Sequence, residues 1–136
     1  EAPLSSVTQS FLHQKAQEVE TQPGIALGAA FALGASLKKI PDPAIEQSLL
    51  DLWAVAPTPD TKQAYLDAMG NSGNARFLPI IEEALASSDI TTREKAVFAL
   101  RWMDDSRAQD ILEQASHDSN PRIQAQATLA RRFLAP

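Results

Sequence analysis

The sequence has no cysteine, few aromatic residues and no excess of basic residues, and these shortages exclude several classes of protein. Without cysteine there is no disulfide, no thiol nucleophile and no thiolate metal site. The formal net charge is −5, from 12 basic and 17 acidic residues, and the basic residues form no arm or stripe. Because binding to a phosphate backbone needs clustered Lys and Arg, nucleic acid is not an expected partner. The missing cysteine suits any compartment, so localisation is left open.

Long hydrophobic runs are missing as well. The most apolar stretch, residues 25–37, has 13 residues and is too short for a bilayer, which takes about 20. It also lies too far inside the chain to be a signal peptide. A buried helix is expected there, and no membrane span. With 136 residues, of which 44% are apolar, the chain is long enough to bury the core of one domain.

Helical spacing of apolar residues runs through almost the whole chain, and strand-like alternation does not. Breaks rich in proline, glycine and small polar residues divide the chain into eight helices with short connections. We expect antiparallel pairs at about 4–38, 43–70, 75–103 and 106–134.

Local details of three helices follow from the same reasoning. The apolar face of the first helix is expected at Leu4, Val7, Phe11 and Val19. Asp60 or Thr61 is expected to cap the fourth helix through a side-chain oxygen. Pro121, which follows Asn120, is expected in the first turn of the eighth helix.

The even-numbered helices resemble one another in sequence. Aligning residues 29–34 with 96–101 superposes the same Phe-Ala-Leu, and residues 65–70 and 125–130 fit the same frame. Each has an apolar anchor preceded by a small residue, and the anchors are Leu33, Met69, Leu100 and Leu129. Their separations of 36, 31 and 29 residues are typical of stacked helix pairs. We therefore predict an all-α fold, a right-handed α-solenoid of about four antiparallel helix pairs in a single domain, residues 1–136.

Two segments of the second half share a pattern of residues. Residues 116–133 have it at Asp118, Pro121, Arg122, Ala125 and Leu129, and residues 89–103 have it at Asp89, Arg93, Ala96, Ala99 and Leu100. With this pattern both segments resemble the HEAT repeats, in their short form. The likeness is good over residues 60–136 and weaker over 1–59. It implies that each Asp caps the second helix of its pair and that each Arg reaches an Asp of the adjacent repeat. The implied structural ladder comprises Asp89, Arg93, Asp118 and Arg122.

A second, looser resemblance concerns residues 66–85. They are similar to the helical repeats of vitellogenin-type lipid-transfer proteins, in which a Leu-Gly-Asn-x-Gly turn precedes a helix. Lipid transfer by that family needs large β-sheets, and this sequence has no strand pattern. The resulting alternative, a helical-repeat fragment of a larger lipid-handling protein, requires the chain to be a piece of something longer.

The sequence contains no recognisable catalytic constellation. His13 and His117 are far apart and lie in no metal-ligand spacing, so surface or helix-cap positions are expected. Residues 70–73 miss the GxSxG elbow by one residue and follow a helix, whereas that elbow needs a strand. We therefore predict no catalytic residue, no metal ligand and no cofactor. A role as accessory domain of a HEAT-type lyase or other enzyme is a further alternative.

Two large aromatic residues, Phe98 and Trp102, share a flank of the sixth helix. In the repeat frame Phe98 aligns with Phe, Asp and Ala, and Trp102 with Ala, Asn and Arg. Positions that vary in this way behave as a solvent-facing column. The candidates for partner binding, on the concave face of the second helices, are Phe31, Asp67, Phe98, Arg101, Trp102 and Arg131. The alternative is that Phe98 and Trp102 fill the groove between stacked pairs, whereas Trp53, in an apolar stretch, is predicted to be core.

The predicted function is that of a non-catalytic scaffold, which binds a protein or peptide partner through the second-helix face. The end of the last helix is apolar, with Phe133, Leu134 and Ala135 in succession. Solenoid ends normally carry a polar cap. This end therefore predicts either further sequence or self-association of two chains.

Overall fold

A computed structural model describes residues 4–18, 22–38 and 40–134, and the regular structure in these ranges is entirely helical. Single turns of 3-10 helix lead into the fifth α-helix (Ala75–Phe77) and out of the sixth (Leu100–Trp102). The α-helices are α1 (Ser6–Gln17), α2 (Pro23–Leu37), α3 (Pro43–Ala54), α4 (Pro59–Ser72), α5 (Leu78–Leu85), α6 (Ile90–Ala99), α7 (Ser106–Ser116) and α8 (Pro121–Arg131). The all-α prediction is confirmed.

Side-chain caps determine where most of the helices begin. The capping residues, whose side chains accept a backbone N–H of the first turn, are Ser5, Asp42, Thr58, Asp89, Asp105 and Asn120. The prediction that Asp60 or Thr61 caps α4 is wrong. Pro59, with its fixed backbone angle, is the first residue of α4, so Thr58 before it becomes the cap and accepts from the Thr61 N–H at 3.2 Å.

The eight helices form four antiparallel pairs arranged in two layers. The second helices of the pairs, α2, α4, α6 and α8, pack side by side in that order. Each first helix packs on the second helix of its own pair, and the buried apolar residues lie between the layers. This arrangement is the α-solenoid that the repeat period predicts.

Small residues let successive second helices approach closely. A Cβ placed on Gly34 of α2 would lie 2.3 Å from the carbonyl oxygen of Ala68 in α4. One placed on Gly70 of α4 would lie 2.6 Å from the Cα of Ala99 in α6. Ala68 and Ala99 are the small residues that precede two of the anchors. The repeated small position is therefore a helix-packing position.

Three of the four predicted anchors, Leu33, Met69 and Leu100, are completely buried, but the fourth is not. Leu129 is 39% exposed, and Ala130 is the buried residue beside it. The frame was aligned on a large apolar residue, whereas the buried residues in the second half of α8 are the small Ala127 and Ala130. Shifting the last repeat by one residue makes Thr128 and Arg132 the α8 equivalents of Phe98 and Trp102.

The predicted apolar face of α1 is also wrong in part. Val7 is 77% exposed and Phe11 is 56% exposed, whereas Ala16 is buried. The main neighbours of α1 are α2 and α3, so much of its surface has no helix against it in the described part of the chain. Val19 lies outside the described residues. Trp53, by contrast, is buried as predicted.

Candidate functional site

Five of the variable positions on the second helices are half-buried along their layer. Phe31 of α2 and Phe98 of α6 pack partly against the core, and Asp67 of α4 lies at the equivalent position between them. One turn further along, Asn71 and Trp102 occupy the next equivalent positions and are half-buried too. We call these five residues the second-helix face. It combines aromatic rings with polar groups, and neither kind of side chain is fully withdrawn from solvent.

Aromatic and cationic side chains gather where the second helices end. The ring of Phe133 meets the rings of Phe98 and Trp102 edge-on, with centroids 5.9 Å apart in both cases. The guanidinium carbon of Arg101 lies 4.3 Å from the Phe98 centroid and 4.1 Å from the Trp102 centroid. The ammonium of Lys38 lies 3.6 Å from the Trp102 centroid. We call Lys38, Phe98, Arg101, Trp102 and Phe133 the aromatic–cation cluster.

Arg101 is the buried centre of this cluster, with only 5% of its surface exposed. Its two terminal nitrogens donate to the side-chain oxygen of Asn71 at 2.5 Å and to the carbonyl oxygen of Phe98 at 2.9 Å. Burial lowers the pKa of Arg101, and the negative charge of Asp67 acts in the opposite direction. A guanidinium nevertheless keeps its charge at neutral pH. The sequence places Arg101 among the candidate contact residues of the second helices, but stacking and hydrogen bonds draw its side chain inward.

Asp67 is held by a neighbour in the next repeat. Its carboxylate accepts a hydrogen bond from the ammonium of Lys95 in α6 at 2.7 Å, and both side chains are partly exposed. The sequence frame did not single out Lys95 or Lys38, because neither belongs to a recurring position. Proximity in the folded chain is the only signal that identifies them.

Arg131, the sixth predicted contact residue, lies elsewhere. Its guanidinium pairs with Glu113 of α7 at 2.6 Å, and it lines a groove with Leu112 and Leu134 between α7 and α8. The structure therefore does not bring Arg131 to the aromatic–cation cluster. The error follows from the one-residue frame shift in α8, which gives the Trp102 position to Arg132.

The implied structural ladder between repeats is present in an altered form. Arg93 of α6 lies 3.9 Å from Asp118, which precedes α8. Arg122 donates to Glu94 at 2.9 Å rather than to a ladder aspartate. Asp118 accepts the Asn120 N–H in the turn, and Asn120 is the residue that caps α8. These contacts link the last two helix pairs. Of the two ladder aspartates, Asp89 alone caps a helix directly.

Asp89 both caps α6 and forms a hydrogen bond with the preceding repeat. Its carboxylate accepts the side-chain hydroxyl and the backbone N–H of Thr92, each at 2.7 Å, and the amide of Gln63 in α4 at 3.0 Å. These hydrogen bonds, together with the charge of Arg122, lower the pKa of Asp89. The ionised form of the Asp89 carboxylate is therefore stabilised by groups on three helices, α4, α6 and α8.

The lowered pKa of Asp89 predicts a pH-dependent contribution to stability. A depressed folded-state pKa stabilises the protein above the unfolded value of about 3.9 and loses that effect as pH falls through the folded value. The Asp89→Asn variant, which keeps a capping oxygen but has no charge, should lose less stability on acidification than the wild type. Thermal unfolding between neutral and acidic pH measures this difference. Asp104→Asn, in the exposed turn after α6, is the control. Identical pH slopes for Asp89→Asn and wild type would contradict the prediction.

The described residues offer little for other kinds of site. No group of three or more histidine and carboxylate side chains among them is placed to hold a metal ion. None of the described helices is both long enough and apolar enough to cross a membrane. His117 lies exposed at the end of α7, where its ring contacts Ser116 and the Glu113 carbonyl. This position is the helix-cap site expected for it.

The fold and the contacts between its equivalent helices define a helical repeat protein with an α-solenoid architecture. A family profile described as HEAT repeats matches residues 46–131, more than half of the chain, so the protein belongs to the HEAT-repeat family. No curated protein matches the sequence. The match lends no support to the vitellogenin-type resemblance. HEAT repeats are commonly protein-interaction scaffolds and are generally not catalytic.

Proposed function

We propose that this chain is a non-catalytic scaffold that binds a protein or peptide partner through the second-helix face and the adjoining aromatic–cation cluster. The observation that supports this most is the clustering of three partly exposed aromatic rings around arginine and lysine. Phe133 is 47% exposed, and Phe98 and Trp102 are half-buried beside it. Aromatic and arginine side chains dominate the energetics of many protein interfaces.

The packing of the same rings supports binding rather than competing with it. Phe98 and Trp102 are held in place by Phe133 and Arg101, so their orientation is set before any partner arrives. Ordering side chains on association costs about 0.5–1.5 kcal/mol for each flexible side chain. A surface whose rings are already fixed avoids much of this cost.

The second-helix face is tested by introducing negative charges on the layer of second helices and, as a control, on the layer of first helices. Ala35→Asp with Thr128→Asp places carboxylates at exposed positions equivalent to Trp102 and Phe98. The control pair, Gln47→Asp with Gln109→Asp, changes exposed positions on the first helices α3 and α7. We expect the first pair to reduce partner retention by about tenfold or more, because a desolvated, unpaired charge at an interface costs upwards of about 1.4 kcal/mol.

Retention is measured by quantitative affinity capture from an extract of the source cells, with circular dichroism to verify that both variants fold. Equal capture of every partner by the two pairs would remove the second-helix face as the binding site. Loss with the control pair alone would move the site to the first-helix layer.

Self-association through the end of α8 stays a separate prediction. Leu129 and Phe133 are exposed there, Leu134 is partly buried, and Ala135 lies outside the described residues. Sedimentation at several protein concentrations tests it, since the mass of a single chain at every concentration would count against an interface between two copies. The lipid-handling and lyase-accessory alternatives are supported by no observation on the described residues.

A further inference from the structure

We infer that the aromatic–cation cluster docks an acidic peptide segment, with its glutamate or aspartate side chains at Lys38 and an apolar side chain against the rings. This inference rests on the proposed function and specifies the chemistry of its partner. Two positive charges and three rings meet in the cluster, and its charges are not neutralised by ion pairs within the described part of the chain.

The first charge is that of Arg101. Its hydrogen bonds go to two neutral acceptors, the Asn71 side chain and the Phe98 carbonyl. Among the described residues, Asp67 is the acid whose charge raises the pKa of Arg101, and that carboxylate is already bound to Lys95 at 2.7 Å. The Asp67–Lys95 pair is close to neutral as a unit. The buried guanidinium therefore leaves a net positive potential beneath the rings that cover it.

The second charge is that of Lys38, at the exposed end of α2. Its ammonium lies over Trp102, and no carboxylate of the described residues forms an ion pair with it. An ammonium has three N–H donors, and the ring face engages only one side of it. The remaining donors point away from the ring and are available to a carboxylate that arrives from solvent.

The same contact argues against a basic partner. A cationic side chain of a ligand would be expected to seek the face of the tryptophan ring. That position is already taken by Lys38, 3.6 Å from the centroid. A ligand cation would have to displace Lys38 and would then lie near two like charges. The overall charge of −5 favours basic partners at long range, but the local charges of the cluster have the opposite sign.

The rings add an apolar requirement. Phe133 is 47% exposed and lies edge-on to Phe98 and Trp102. An apolar side chain placed against these rings would exclude water from the neighbouring ion pair, which strengthens it. A segment with an aromatic or aliphatic residue between acidic residues fits both parts of the cluster.

Three matched peptides test this inference. They share one central phenylalanine and differ only in whether the flanking residues are glutamate, glutamine or lysine. In a nitrogen-15-labelled Trp53→Phe variant, the single remaining indole N–H resonance belongs to Trp102 and reports on the cluster. The lysine variants are Lys38→Gln and, as a matched control, Lys62→Gln. In the unsubstituted protein the Lys62 ammonium lies 4.8 Å from the ring centroid of Trp53, and the Trp53→Phe background keeps an aromatic ring at that position.

We expect the glutamate peptide to shift the Trp102 resonance and to bind at least about fivefold more tightly than the glutamine peptide. Lys38→Gln should remove most of this difference, and Lys62→Gln should leave it intact. Equal binding of the glutamate and glutamine peptides, or tightest binding of the lysine peptide, would overturn the acidic preference while the proposed function stands. If none of the three peptides shifts the Trp102 resonance, docking at this cluster is overturned. The proposed function is decided independently, by partner capture with the charge-insertion variants.

Discussion

Replacing Gly34 with alanine is expected to destabilise the protein by about 3 kcal/mol, a large fraction of the stability of a small domain. The added methyl would lie 2.3 Å from the carbonyl oxygen of Ala68 and 2.8 Å from its carbonyl carbon. These are backbone atoms, so no side-chain rotation relieves the clash. The α2 and α4 helices must move apart instead, which loosens the packing around the buried anchors Leu33 and Met69.

The same helix provides a matched control. Gly28 is exposed, and a Cβ placed there meets nothing within 4 Å. Because alanine is the better helix former, Gly28→Ala should stabilise the protein by about 0.5–1 kcal/mol. Urea unfolding of both variants gives the two changes in the free energy of unfolding. If both substitutions stabilised the protein, the close approach of α2 to α4 would have to be abandoned.

Replacing Arg101 with methionine is expected to destabilise the protein by about 2–4 kcal/mol. Methionine keeps an unbranched apolar stem but removes the charge and both hydrogen bonds. The substitution leaves the side-chain oxygen of Asn71 without its donor and the rings of Phe98 and Trp102 without the guanidinium stacked on them. Arg101→Lys should restore only part of the loss, because an ammonium lacks the planar fork that binds Asn71 while stacking on two rings.

Arg131→Met is the control for the arginine series. Arg131 is half-exposed and its partner Glu113 is exposed, so this ion pair should contribute less than about 1 kcal/mol. Urea unfolding gives the free energies, and the Trp102 indole resonance in the Trp53→Phe background shows whether the cluster is disturbed. Equal losses for Arg101→Met and Arg131→Met would mean that the buried position of Arg101 has no energetic significance.

Local sequence determined the helices and the repeat. Apolar spacing, prolines after capping residues and the glycine after α4 are short-range signals, and they predict elements without knowledge of neighbours. The recurring small residue before an apolar anchor predicted stacked pairs and correctly marked Leu33, Met69 and Leu100 as buried. The frame failed at Leu129, because the buried residues in that half of α8 are the alanines Ala127 and Ala130, which carry no size signal.

Only the tertiary structure decided the composition of the site. Lys38 reaches Trp102 from the first pair, and Phe133 reaches it from the last, across separations for which no periodicity gives a rule. Arg101 could be assigned to a helix flank from sequence, but its burial depends on Asn71 of the preceding repeat. Periodicity specifies which side of a helix faces its neighbours. Which side chains meet there depends on helix spacing and on where each helix ends, and these are set by packing across repeats.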